Sequence, residues 1–147
     1  MSDREEPPHP FWTNLDQRPL TWIADWDNRE PSEAHVMSWS RFVPTATFND
    51  PWVDACRSLI LLDLDAWLAA TRPHVGELEV FAPTIDVTAR FLADTSNEPW
   101  LLSEARSPAA TAGLINGTGH IWTTDLRIAA TGGSTLLCRP ATRRPDR

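Results

Sequence analysis

The rhythm of hydrophobic and polar positions changes twice along the chain. Arg18–Trp26 and Ala34–Val43 read as short strands, flanking a polar loop centred on Asp27-Asn-Arg-Glu-Pro-Ser32. From Pro51 to about Thr71 the spacing becomes helical, and it stops before Pro73 and Gly76. Asn49-Asp50-Pro51 is the start signal, because Asp50 can accept bonds from the free amides and Pro51 suits the first helical position. After the helix the chemistry turns to β. Pro83–Leu92 alternates, with Ile85, Val87, Ala89 and Phe91 on one face and Thr84, Asp86, Thr88 and Arg90 on the other. Further strands are expected at Trp100–Arg106, Leu114–Thr123 and Leu126–Arg139, with Thr124-Asp125 marking a hairpin between the last two. One long helix followed by antiparallel strands predicts an α+β fold, a sheet wrapped on a single central helix.

The ends fall outside that pattern. Residues 1–10 carry prolines without apolar periodicity, and residues 141–147 are equally unpatterned, so both are expected to be loose tails on a single 11–140 domain. The acidic, proline-rich start does not have the form of a signal peptide. The longest unbroken apolar run, Ala66–Ala70, is far short of the ~20 residues of a membrane span. Thirteen basic residues, all arginine, face 20 acidic ones, a net charge of −7, which argues against nucleic-acid or anionic-membrane partners. Cys56 and Cys138 are the only cysteines, so a reducing cytoplasmic setting is expected rather than a disulfide scaffold.

On a helical wheel at about 100° per residue, Asp54, Arg57, Ser58, Asp65 and Arg72 form a polar stripe. Asp63 lies on the opposite side, among Trp52, Cys56, Leu59, Ile60, Trp67 and Ala70. An apolar helix face is expected to be buried, which places Asp63 in a core and Asp65 on the wet side without a role. A lone buried carboxylate costs several kcal/mol unless it is paired, hydrogen-bonded or protonated, and active sites are a common home for such groups. A structural ion pair with Arg90, with Arg106 or with an arginine of a neighbouring subunit would compensate it equally.

Other patterns carry less. His9, His35, His74 and His120 show no helical pairing, so neither a metal nor a cofactor is implied, and there is no nucleophile elbow, phosphate loop or dinucleotide fingerprint. Cys56 and Cys138 read as small core residues, and Trp22, Trp26, Trp39, Trp100 and Trp122 as core and interface bulk. Gly117 and Gly119 share one face of a strand, where a ligand chain or the helix backbone could approach closely, or where the sheet bends.

The segment Phe48-Asn-Asp-Pro-Trp-Val-Asp-Ala-Cys-Arg-Ser-Leu-Ile-Leu-Leu-Asp63 resembles the helix of the C-terminal hot-dog repeat in acyl-CoA thioesterase II-like proteins. Ala82-Pro-Thr-Ile-Asp-Val-Thr-Ala-Arg-Phe91, Glu98-Pro-Trp-Leu-Leu102, His120–Ala130 and Leu136–Arg139 resemble the strands that follow it, in the same order. The resemblance implies a single hot-dog domain. It places the family's helix aspartate on Asp63 and its strand Thr or Ser on Thr84. The family's third member, a glutamine, is matched by Ser134, or by Thr135 after a one-residue shift.

By that resemblance the chain is expected to hydrolyse a fatty or similarly apolar acyl-CoA by direct water attack. Asp63 would act as general base, Thr84 would aim the water and Ser134 would stand in the third position, with Gly117 and Gly119 lining the substrate. A catalytically weak acyl-binding or assembly subunit is the alternative, motivated by Ser134 and by the missing first repeat. A hot-dog hydratase is disfavoured, because no Asp is followed five residues later by His, and Leu68 holds that place after Asp63. The two-repeat design of the family implies a homodimer, or pairing with a separately encoded first repeat.

Overall fold

The computed structural model describes residues 10–21, 23, 25, 28–76 and 80–140. His9, Trp22, Trp26 and the expected tails, Pro10 apart, lie outside the described residues. A 3₁₀ turn, Pro10–Asn14, leads into β1 (Leu15–Pro19), which pairs antiparallel with β2 (His35–Phe42). The first strand therefore runs earlier than Arg18–Trp26. Beyond Pro19 a single amide, Leu20, bonds to the Met37 carbonyl, and the Thr21 hydroxyl then accepts the Met37 amide at 3.2 Å where a strand carbonyl would stand.

Asp50 caps the helix as its sequence predicts, accepting from the Trp52 and Val53 amides at 2.8 and 3.2 Å. The helical stretch is divided, however, into α1 (Pro51–Leu64) and α2 (Ala66–Thr71), with Asp65 between them at φ −95°, ψ −1°. Two short strands, β3 (Val80–Phe81) and β8 (Arg139–Pro140), pair with each other, and β4 (Thr84–Phe91), β5 (Leu101–Thr111), β6 (Leu114–Trp122) and β7 (Ile128–Leu137) join the main sheet. That sheet is antiparallel throughout, in the order β1-β2-β5-β6-β7-β4. Ala112 and Gly113, at φ 52° and 76°, make the two-residue turn from β5 to β6. The hairpin expected at Thr124-Asp125 is present, closed by the Thr123 amide on the Arg127 carbonyl at 2.9 Å.

The sheet curls round the helices. Leu61 and Leu62 bury against Leu101, Ile121 and Ala130, and Ala66 and Ala70 against Ile115 and Leu136. Each large side chain so buried contributes roughly 1.5–3 kcal/mol. Gly117 and Gly119 face this core. A methyl on Gly117 would stand 2.5 Å from the Ala66 Cβ, and one on Gly119 3.2 Å from a Leu62 methyl, so their bareness lets the helices lie on β6.

The helix is turned opposite to the wheel's expectation. Asp54, Arg57, Ser58, Asp65 and Arg72, the expected wet stripe, are buried along with the core leucines and alanines, whereas Trp52 is 74% exposed, Cys56 is exposed and Asp63 is only half-buried. The physical reason is a polar network that satisfies itself. The Arg57 Nε and Nη2 donate to the two Asp54 carboxylate oxygens at 3.0 and 2.9 Å, and Arg57 also donates to the Thr95 and Glu98 carbonyls at 2.7 and 2.9 Å. The Thr95 hydroxyl and Phe48 amide complete Asp54 at 2.6 and 2.9 Å. An acid–base pair satisfied in this way can be buried at the start of the helix, and polarity alone does not reveal that.

Candidate active site

Asp63 ends the outer side of α1, and Thr84 begins β4, the edge strand of the sheet. By strict alternation Thr84 shares a face with Asp86, away from the helix. The register breaks that rule: Thr84 pairs with Leu136 and Asp86 with Thr135, leaving Ile85 as an extra residue between them. A bulge of this kind re-aims one side chain. Here it turns Thr84 toward α1, and its hydroxyl donates to Asp63 Oδ1 at 2.9 Å.

No arginine reaches Asp63 among the described residues. Arg106 bonds instead to Glu33 at 2.5 Å and lies near Glu104 at 3.4 Å, and Arg90 stands beside Asp86 and Thr88 in a polar trough on the far side of the sheet. Asp63 thus keeps one carboxylate oxygen for another donor, next to a hydroxyl oxygen that can also accept. Such a pair can hold a water by two hydrogen bonds and take its proton.

Ser134 lies on the inner face of β7, opposite Val87 and Gly117, 2% exposed, with its hydroxyl unbonded. It stands two residues before Leu136, the partner of Thr84 across the strands, and makes no hydrogen bond with Asp63 or Thr84. Thr135 pairs with Asp86 and Asn116 and lines the trough on the outer side, away from Asp63. The structure therefore brings Asp63 and Thr84 together, sets Ser134 short of them, and spends Gly117 and Gly119 on helix packing. Among the described residues no group of His, Cys, Asp and Glu forms a metal site.

Asp65 is the residue that the wheel passes over. It is 4% exposed, and its Oδ2 lies 2.7 Å from the Ser103 hydroxyl, which is itself 3.1 Å from the Ser38 carbonyl. A hydroxyl has one proton and a carbonyl only accepts, so a proton on Asp65 completes the chain. Burial pushes its pKa up against the opposing effect of the Ser103 bond. A raised carboxyl pKa gives stability that is complete below its unfolded value and is lost as the pH rises toward and through the folded value. Asp65→Asn, which keeps the shape and supplies the donor permanently, is expected to raise Tm at pH 8 by roughly 3 °C. The difference from wild type should close by pH 4 in thermal scans.

A six-stranded antiparallel sheet curled round one interrupted helix is the hot-dog fold. The sequence profile of the acyl-CoA thioesterase C-terminal domain matches residues 1–136, and the chain belongs to that family. Among solved structures it is similar to acyl-CoA thioesterase II TesB2 from Mycobacterium marinum, at 22% identity and a TM-score of 0.71 over 95% of this chain and 56% of that one. A hot-dog protein of unknown function from Alicyclobacillus acidocaldarius matches at 20% identity and a TM-score of 0.63, over 97% and 55% of the two chains. The protein smu.793 from Streptococcus mutans, solved bound to acetyl-CoA, matches at 14% identity and 0.61, over 82% and 96%. The chain spans little more than half the length of the first two. No curated protein sequence matches it significantly, and no helix among the described residues is long and apolar enough to cross a membrane.

Proposed function

We propose that the chain is the hydrolytic hot-dog unit of an acyl-CoA thioesterase acting on a fatty or similarly apolar acyl group. The observation that carries this reading is the 2.9 Å bond from Thr84 to Asp63, two side chains brought together from separate elements by a bulge. In this reading a water held by Asp63 and Thr84 attacks the thioester carbonyl while Asp63 takes its proton. The oxyanion collapses, the C–S bond breaks, and the thiolate of CoA leaves and is protonated as the free thiol. The acid product and CoA account for every atom.

Thr84 is exposed on an edge strand, and the outer helix face shows Trp52, Val53 and Cys56 to solvent. A second hot-dog unit covering that face, as a homodimer or a separately encoded first repeat, would exclude water from the site and close the acyl channel. The free thiols of Cys56 and Cys138 fit a reducing cytoplasm.

The unbonded Ser134 hydroxyl favours a second reading, an acyl-binding subunit with little turnover. A glutamine at 134 has the length to cross toward Thr84 that serine lacks. CoA-thiol release from acyl-CoAs of graded chain length is therefore expected to be slow for wild type and about 100-fold faster for Ser134→Gln, the low end of the 10²–10³ span of a single orienting donor. No release by either protein on any chain length would replace the hydrolytic reading with the binding one.

A further inference from the structure

A cavity of about 350 Å³ lies between α1, α2 and the paired strands β1 and β2. Its walls are mostly apolar, with Val36, Met37, Trp67 and Leu68 among them, and that volume suits a small ligand. Two buried ionisable side chains interrupt the apolar lining: Asp65 and Arg72, 4% and 6% exposed, about 10 Å apart along the helical stretch.

Arg72 is under-satisfied. Its Nη2 donates to the Thr21 carbonyl, its Nε is buried with no partner, and no carboxylate lies within ion-pair distance among the described residues. Burial alone acts on its guanidinium, drawing its pKa below the usual value. Asp65 does not pair with it: the two stand about 10 Å apart along the helical stretch, and the Asp65 Oδ2 is bonded to Ser103. Among the described residues the cavity thus holds a buried guanidinium with a spare N–H donor and no ion-pair partner, an arrangement that an anion would relieve.

We infer that this cavity is a second ligand site, taking a medium-chain carboxylate whose head bonds to Arg72 and whose alkyl chain lies along Trp67, Leu68, Leu64 and Val36. The carboxylate supplies the missing charge and accepts the spare Nε proton, and the apolar walls account for the chain. The inference does not rest on hydrolysis at Asp63: the cavity would bind the free acid whether or not the chain cleaves a thioester.

The test titrates the full chain with decanoate and with 1-decanol, by calorimetry and by tryptophan fluorescence, since Trp12 and Trp67 border the cavity. Wild type is expected to bind one decanoate saturably and decanol at least tenfold more weakly. Arg72→Gln should lose about 10- to 100-fold in decanoate affinity, the range of one charged hydrogen bond. Asp63→Asn should bind as wild type does. Leu68→Trp, which narrows the cavity from its helix wall and leaves Arg72 in place, should abolish binding with the circular dichroism spectrum unchanged, so the test survives if Arg72→Gln fails to fold. Decanoate binding that persists in both Arg72→Gln and Leu68→Trp, that is lost in Asp63→Asn, or that is absent from wild type would overturn the inference.

Discussion

Arg57→Ala is expected to unfold the protein far more readily than any surface change, at a cost of about 3–5 kcal/mol. The substitution strips Asp54 of both its guanidinium bonds and leaves the Thr95 and Glu98 carbonyls without that donor. Asp54 would then be a carboxylate 1% exposed to solvent with only the Thr95 hydroxyl and Phe48 amide to hold it. The same network pins the start of α1 to the 95–98 turn, so its loss loosens the element that carries Asp63. Burial pushes the Asp54 carboxyl up, but the bonds from Arg57, Thr95 and Phe48 outweigh it and hold the pKa below its usual 3.8. Its contribution to stability is therefore full above that usual value and lost as the pH falls through the lower folded one. Urea unfolding at pH 7 reads the effect directly. A loss under 1 kcal/mol would mean that the network contributes little, and acid sensitivity below pH 4 should be weaker in the variant than in wild type.

Much of this architecture is legible in the chain. The Asp50-Pro51 start, the strands at 35–42, 84–91 and 114–122 and the last hairpin follow from capping chemistry, alternation and turn residues. The orientation of the helix does not. A wheel sorts Asp54, Arg57 and Asp65 by polarity, whereas their burial depends on Thr95, Glu98 and Ser103, partners 38 to 41 residues away in sequence. For the same reason Cys56 and Trp52, expected inside, lie outside. The break at Asp65 is equally a tertiary effect, since nothing in Leu64-Asp65-Ala66 ends a helix on its own.

The candidate site divides along the same line. Asp63 and Thr84 are visible as a pair only through family resemblance, because strict alternation turns Thr84 away from the helix. The bulge at Ile85 reverses that, and no local signal in Pro83-Thr-Ile-Asp86 announces it. Arg72 and its cavity have no sequence signal at all, being assembled from two helices and two paired strands.

Asp63→Asn carries the second large expectation. Asparagine preserves the shape and can still accept the Thr84 hydroxyl, so the half-buried position should tolerate it with Tm unchanged. What it loses is the capacity to take a proton from the attacking water. General-base catalysis contributes about 10²–10⁴-fold, and the loss should fall on kcat with KM little altered, because Asp63 acts on the water rather than on the bound acyl chain. The most direct measurement is the kcat for CoA-thiol release from whichever acyl-CoA the wild type cleaves fastest, compared between wild type and Asp63→Asn. A fall of at least 100-fold with an unchanged melting temperature is the predicted result; turnover within twofold of wild type would contradict the assignment of Asp63 as the base.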